Sequence, residues 1–151
     1  MTSVEVAITL FEEGFNCSQA VFAAHAPNLG LDRETALRMA GPFGGGVGRM
    51  GEICGAVSGA LMALGLRHAS PHAEDKESKE QVYALARELA SRFGARNNGC
   101  IKCRELLGCE IGTPEGLQAA SEEGLFETLC PKFVRDAAEI AEQLCNYKEL
   151  A

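Results

Sequence analysis

The residues of this sequence best suited to chemistry are its cysteines. Seven occur in 151 residues, and an odd number leaves at least one thiol unpaired within a monomer. A cysteine reacts as its thiolate, which a helix N-terminus or a positive neighbour favours. Cys17 falls in the first turn of one expected helix and Cys130 at the N-cap of another, so both feel the positive end of a helix dipole. Cys54 lies near the start of a further helix, just after a glycine-rich run. Taken singly, each could be a small buried hydrophobe; three near helix starts argue for function. Cys100-Ile101-Lys102-Cys103 has the C-x-x-C spacing of a redox dithiol or half a metal site. No His follows it, so it is not a c-type haem attachment site. No second C-x-x-C completes a zinc ribbon, and no strand precedes it as in a thioredoxin-like unit.

Cys54-Gly55-Ala56-Val57-Ser58-Gly59, taken with Gly51, places glycines at i, i+4 and i+8 on one helical stripe. Small residues at that spacing admit another backbone closely. Glycine inside a helix costs about 1 kcal/mol against Ala, so the pair asks for a reason. Gly55 and Gly59 are the candidate cofactor-binding positions beside Cys54. Gly46-x-Gly48-x-x-Gly51 matches the dinucleotide fingerprint, but the segment before it does not read as a strand, and the required βαβ context is missing. A tight turn is the better reading, with a weaker possibility of anion binding beside Arg49. His68 and His72 read as solvated loop histidines, since Pro71 separates them. His25 closes a helix, where a cation is favoured. Met39, Met50 and Met62 read as core fillers.

The elements that must position these residues are helices. Apolar periodicity and caps predict helices over 4–15, 17–25, 33–40, 52–66 and 73–93. Cys100 to Leu107 reads as a short helical turn between Gly99 and Gly108. Thr113-Pro114-Glu115 starts another helix, and a last one runs from Pro131 to about Tyr147. No stretch alternates long enough to be a confident strand. The expectation is an all-α, single-domain bundle of about seven helices over residues 1–151.

At this length a core forms without crosslinks, so the cysteines are not needed as staples. Net charge is −7, with no basic half, which argues against nucleic acid as a partner. The longest apolar stretch, Ile53 to Leu66, is too short to span a bilayer. The first residues lack the apolar core of a signal peptide. A cytoplasmic protein is therefore expected, in a compartment that keeps thiols reduced. The glycine stripe and the amphipathic helices suggest a homodimer.

Cys17, then Cys54-Gly55-Ala56-x-x-Gly59, then Cys103-x-x-Leu106-Leu107-Gly108, then Cys130 followed by Phe133-Val134 resembles a family of redox-active proteins named for its cysteine pattern, C-GCAxxG-C-C. The likeness runs from Gly14-Phe15-Asn16-Cys17-Ser18-Gln19-Ala20 into the last helix and includes Gly41-Pro42-Phe43-Gly44-Gly45-Gly46. It implies that Cys17, Cys54, Cys103 and Cys130 are the working cysteines, and that Cys100, Cys109 and Cys145 are extras. The family is related in pattern to a domain of split-Soret cytochromes c, but without C-x-x-C-H haem does not carry over. Three readings stay open here. One is thiol–disulfide exchange with a redox partner protein. The second is a zinc or iron–sulfur site in which Cys17, Cys54, Cys103 and Cys130 are the ligands. The third is a non-enzymatic helical interaction module.

Overall fold

The computed structural model describes residues 1–147. Among them are ten α-helical segments: α1 (Ser3–Glu12), α2 (Cys17–His25), α3 (Arg33–Ala40), α4 (Gly44–Val47), α5 (Gly55–His68), α6 (Lys76–Arg96), α7 (Cys103–Leu107), α8 (Pro114–Glu122), α9 (Leu125–Thr128) and α10 (Cys130–Cys145), with short 3-10 turns at Ala26–Leu29 and Gly41–Phe43. Three of these, α4, α7 and α9, are single turns. The seven longer helices are the all-α set that the periodicity predicts. Their starts are set by side-chain caps: Thr2, Asn16, Asp32, Asp75 and Thr113 each accept a backbone N–H from the first turn that follows. The start at Glu52 is corrected to Gly55, because residues 51–53 pair with another segment of the chain.

Alanine and glycine let α2 and α5 meet backbone to backbone at the centre. On α2, Ser18 and every residue from Ala20 to His25 are buried. A Cβ at Gly59 would come within 2.6 Å of the Ser18 carbonyl oxygen. Gly51 lies outside the helix, so the stripe reduces to Gly55 and Gly59, and both face α2. The close approach is thus used within the chain, and the stripe offers no seat for a second copy. Around this centre α10 buries Phe133, Val134, Ala137, Ile140, Ala141 and Leu144 on one face. One core cluster joins residues of α1, α2, α3, α5, α6, α8 and α10. Where α6 ends, Asp136 of α10 is buried and receives Lys132 Nζ at 2.6 Å, Asn97 Nδ2 at 3.2 Å and Arg96 at 3.3 Å, which satisfies a carboxylate that would otherwise be costly to enclose.

Several polar readings change. His68 is not a solvated loop residue: it ends α5, and its Nε2 lies 2.9 Å from the Leu144 carbonyl, tying α5 to α10. His72 is exposed, as expected. His25 is buried rather than presented as a surface cation, with Nδ1 2.9 Å from the Val21 carbonyl. Met39 and Met50 are exposed and fill no core, whereas Met62 packs against it. No helix among the described residues is long and apolar enough to cross a membrane.

Candidate functional site

Each of Cys17, Cys54, Cys103 and Cys130 stands at the beginning of a helix. Cys17, Cys103 and Cys130 are the first residues of α2, α7 and α10, and Cys54 is the N-cap of α5. Two local devices bring these starts together. The first is a single antiparallel bridge between Ile53 and Lys102. Cys54 N–H donates to the Ile101 carbonyl at 2.8 Å, and Cys103 N–H donates to the Glu52 carbonyl at 2.7 Å. Two cysteines 49 positions apart in sequence are thereby held one residue from the same bridge. Arg104 clamps it from outside through Glu52 at 2.9 Å.

The second device anchors the start of α2. The Asn16 side chain caps α2 by accepting from Gln19 N–H, and its Nδ2 donates to the Gly41 carbonyl at 3.0 Å. Ser18 Oγ donates to the Ala40 carbonyl at 2.8 Å, and Gln19 Nε2 to the Leu37 carbonyl at 3.0 Å. Cys17 is therefore fixed to the end of α3 and to the glycine-rich loop. That loop needs its glycines. Gly46 has φ +67°, and a Cβ there would strike Glu52 backbone at 2.6 Å and Cys103 Cβ at 2.7 Å. The fingerprint-like glycines serve this tight loop, as the missing strand implied.

All four cysteines line one cavity of about 430 Å³. Cys100, Cys109 and Cys145 do not line it. Cys100 lies toward the Asn98 carbonyl, Cys109 Sγ donates to the Gly116 carbonyl at 3.1 Å, and Cys145 is buried at the end of α10. The C-x-x-C spacing thus contributes only its second cysteine. Gly55 borders the cavity; Gly59 is spent on packing against α2 and is not part of the lining. The rest of the lining includes an apolar wall, built from Phe11, Leu106, Leu107, Ile111, Phe126 and Phe133. Sequence reasoning missed most of this wall. Phe126 comes from the single turn α9, too short to show periodicity, and Phe11 comes from a helix read only for its core face.

The electrostatics single out one thiol. The Cys17 pKa is lowered from 9.0 to about 7, first by a hydrogen bond from the Cys54 thiol. Burial opposes this, and the backbone N–H groups of Gly45, Ser18 and Ala56 add to it. Cys54 moves the other way, well above the usual thiol range, because its proton is held by Cys17 and its own ionisation would be buried beside a charge. The two shifts describe one shared proton. It resides on Cys54, since Cys17 is the less buried and has more backbone donors. Cys103 and Cys130 are each pushed up to about 12, chiefly by burial and then by the Cys17 charge. The directions of these shifts favour the thiolate at Cys17 over one at Cys54, Cys103 or Cys130.

Tetrahedral zinc needs sulfur within about 2.3 Å of the metal from several ligands at once. Among the described residues no three His, Cys, Asp or Glu side chains are grouped in a way that could hold a metal ion. No disulfide is present either, and all seven cysteines are free.

No curated protein and no solved structure matches the chain. A family model described as "Putative redox-active protein (C_GCAxxG_C_C)" matches residues 15–144, which takes in all four cavity cysteines. With most of its length and its whole cysteine pattern inside that match, the chain belongs to the C_GCAxxG_C_C redox-active family.

Proposed function

We propose that the protein is a thiol–disulfide redox protein whose working couple is Cys17 and Cys54. The observation that carries this reading is the pairing of the two thiols at the starts of α2 and α5, with backbone N–H groups from three segments on Cys17. A thiolate with a pKa near ambient pH is well suited to attack, because it is both abundant and nucleophilic.

In the forward direction the Cys17 thiolate attacks one sulfur of a substrate disulfide. A Cys17–substrate mixed disulfide forms, and one substrate thiolate leaves and takes a proton from solvent. The charge on Cys17 is then gone. Two of the causes that raise Cys54, its hydrogen bond to Cys17 and the Cys17 charge, vanish with it. Cys54 can now ionise, supported by the N–H groups of Ala56 and Val57. It attacks Cys17 Sγ, closes a Cys17–Cys54 disulfide and releases the second substrate thiol. Two electrons pass from the protein to the substrate, and a dithiol donor returns the pair to its reduced form.

The test is to oxidise the anaerobically reduced protein with glutathione disulfide, trap free thiols by alkylation and map the peptides. A Cys17–Cys54 link that forms first and is absent in Cys17→Ser is the expected result. A first link between other cysteines, or none, would overturn the assignment.

A further inference from the structure

Resting on the Cys17–Cys54 reading, we infer that the substrate is a small organic disulfide with an apolar body and an acidic group, held in the cavity with the acid toward Arg49. The volume of about 430 Å³ lies within the range of about 300–1,000 Å³ typical of small-ligand sites. Cys54 is buried and Cys17 half-buried in its wall, so the reacting bond must enter the cavity rather than touch an outer surface. Phe11, Ile111, Phe126 and Phe133 offer apolar and aromatic faces to a ligand body.

The one cation of the lining selects an anionic group. Arg49 is the only Lys, Arg or His among the lining residues, where the other charge is the Cys17 thiolate, and no carboxylate accompanies it. It is exposed at the rim and has no ion pair among the described residues. Its stem folds over Gly45, where a Cβ would come within 2.9 Å of Arg49 Cγ, and the Gly45 N–H is one of the donors to Cys17. The Arg49 stem thus lies over the loop whose Gly45 N–H reaches the reactive sulfur. The reaction balances as above: the substrate disulfide gains two electrons and leaves as two thiols, one protonated from solvent and one by the proton of Cys54, while Cys17 and Cys54 give up the two electrons and become linked.

The experiment compares two aromatic disulfides on anaerobically reduced protein: 5,5′-dithiobis(2-nitrobenzoate), an anion, and 4,4′-dithiodipyridine, which is neutral. Rates at Cys17 are followed by quenching and peptide mass mapping, each divided by the rate with 2-mercaptoethanol to remove intrinsic reactivity. Arg49 sits at φ +68°, a region that Asn adopts readily, so Arg49→Asn removes the charge with little backbone cost, and Arg49→Lys retains it. The expected result is a rate that saturates with the anionic disulfide, and a corrected preference for it that falls about fivefold in Arg49→Asn and is largely kept in Arg49→Lys. No saturation, or the same preference in Arg49→Asn as in the native chain, would overturn the inference while leaving the Cys17–Cys54 couple intact. A Cys17 inert to both reagents would overturn both.

Discussion

A thiolate at Cys17 is held by the Cys54 thiol and by the N–H groups of Gly45, Ser18 and Ala56. The Cys54 contribution is the largest, so its removal is diagnostic. The rate of Cys17 carboxymethylation against pH should show a midpoint near 7. In Cys54→Ala the midpoint should move up toward the ordinary thiol value, about 8.5, because burial then acts against fewer donors. An unchanged midpoint would show that Cys54 does not hold Cys17. Gly55 bears on the same atom: a Cβ there would lie against Cys17 Sγ, so Gly55→Ala should displace that sulfur. The expected outcome is loss of the rapid alkylation phase, with helical circular dichroism retained.

Elements matter here because helix starts, rather than helix faces, carry the cysteines. Positions on α5 separate packing from function. Gly59→Ala places a methyl 2.6 Å from the Ser18 carbonyl and 3.2 Å from Phe22 N, both backbone atoms. Overpacking of roughly 1–3 kcal/mol should exceed the gain of about 1 kcal/mol from removing a helical glycine, so Tm falls. Gly65→Ala meets nothing within 4 Å in the same helix and should raise stability by roughly 0.5–1 kcal/mol. The opposite signs can be read from thermal melts of the two variants side by side. Asn16→Ala should cost about 1 kcal/mol as a lost cap. It also severs the link to Gly41, so Cys17 alkylation should slow as well, an effect that a cap acting only on helix stability would not produce.

At the scale of the whole molecule, the thiols shape the dependence of stability on pH in two opposed windows. Cys17 has a folded pKa below its unfolded value of 9.0. Its contribution is fully present above about pH 9 and is lost as pH falls toward 7. Cys103 and Cys130 have folded values raised to about 12. Their contribution is fully present below the unfolded thiol value and is lost as pH rises above it. Anaerobic melts should therefore show Tm rising between pH 7 and 9 relative to Cys17→Ser, then falling at higher pH in both proteins. A native curve parallel to that of Cys17→Ser from pH 7 to 9 would contradict the depressed Cys17 value.

The helical class, the seven longer helices and most of their caps could be read directly from the chain, because periodicity and capping are local properties of neighbouring residues. So could the placement of Cys17, Cys54 and Cys130 near helix starts, since Asn16, the Gly-rich run and Pro131 mark those starts in sequence. From those starts Cys17, Cys54, Cys103 and Cys130 are expected in one region without all of the other three, and all four line one cavity; what brings them together could not be read there. It depends on a single bridge between Ile53 and Lys102 and on the Asn16, Ser18 and Gln19 contacts across to residues 37–41. These are pairings between distant segments with no periodic signature. The glycines at 55 and 59 announced a close approach, and only the tertiary structure assigned it to α2. That Cys17 and Cys54 line the cavity together, while Cys100 does not join Cys103 there, was likewise decided in three dimensions. The bridge turns Cys103 toward the cavity, while Cys100 is left outside its lining.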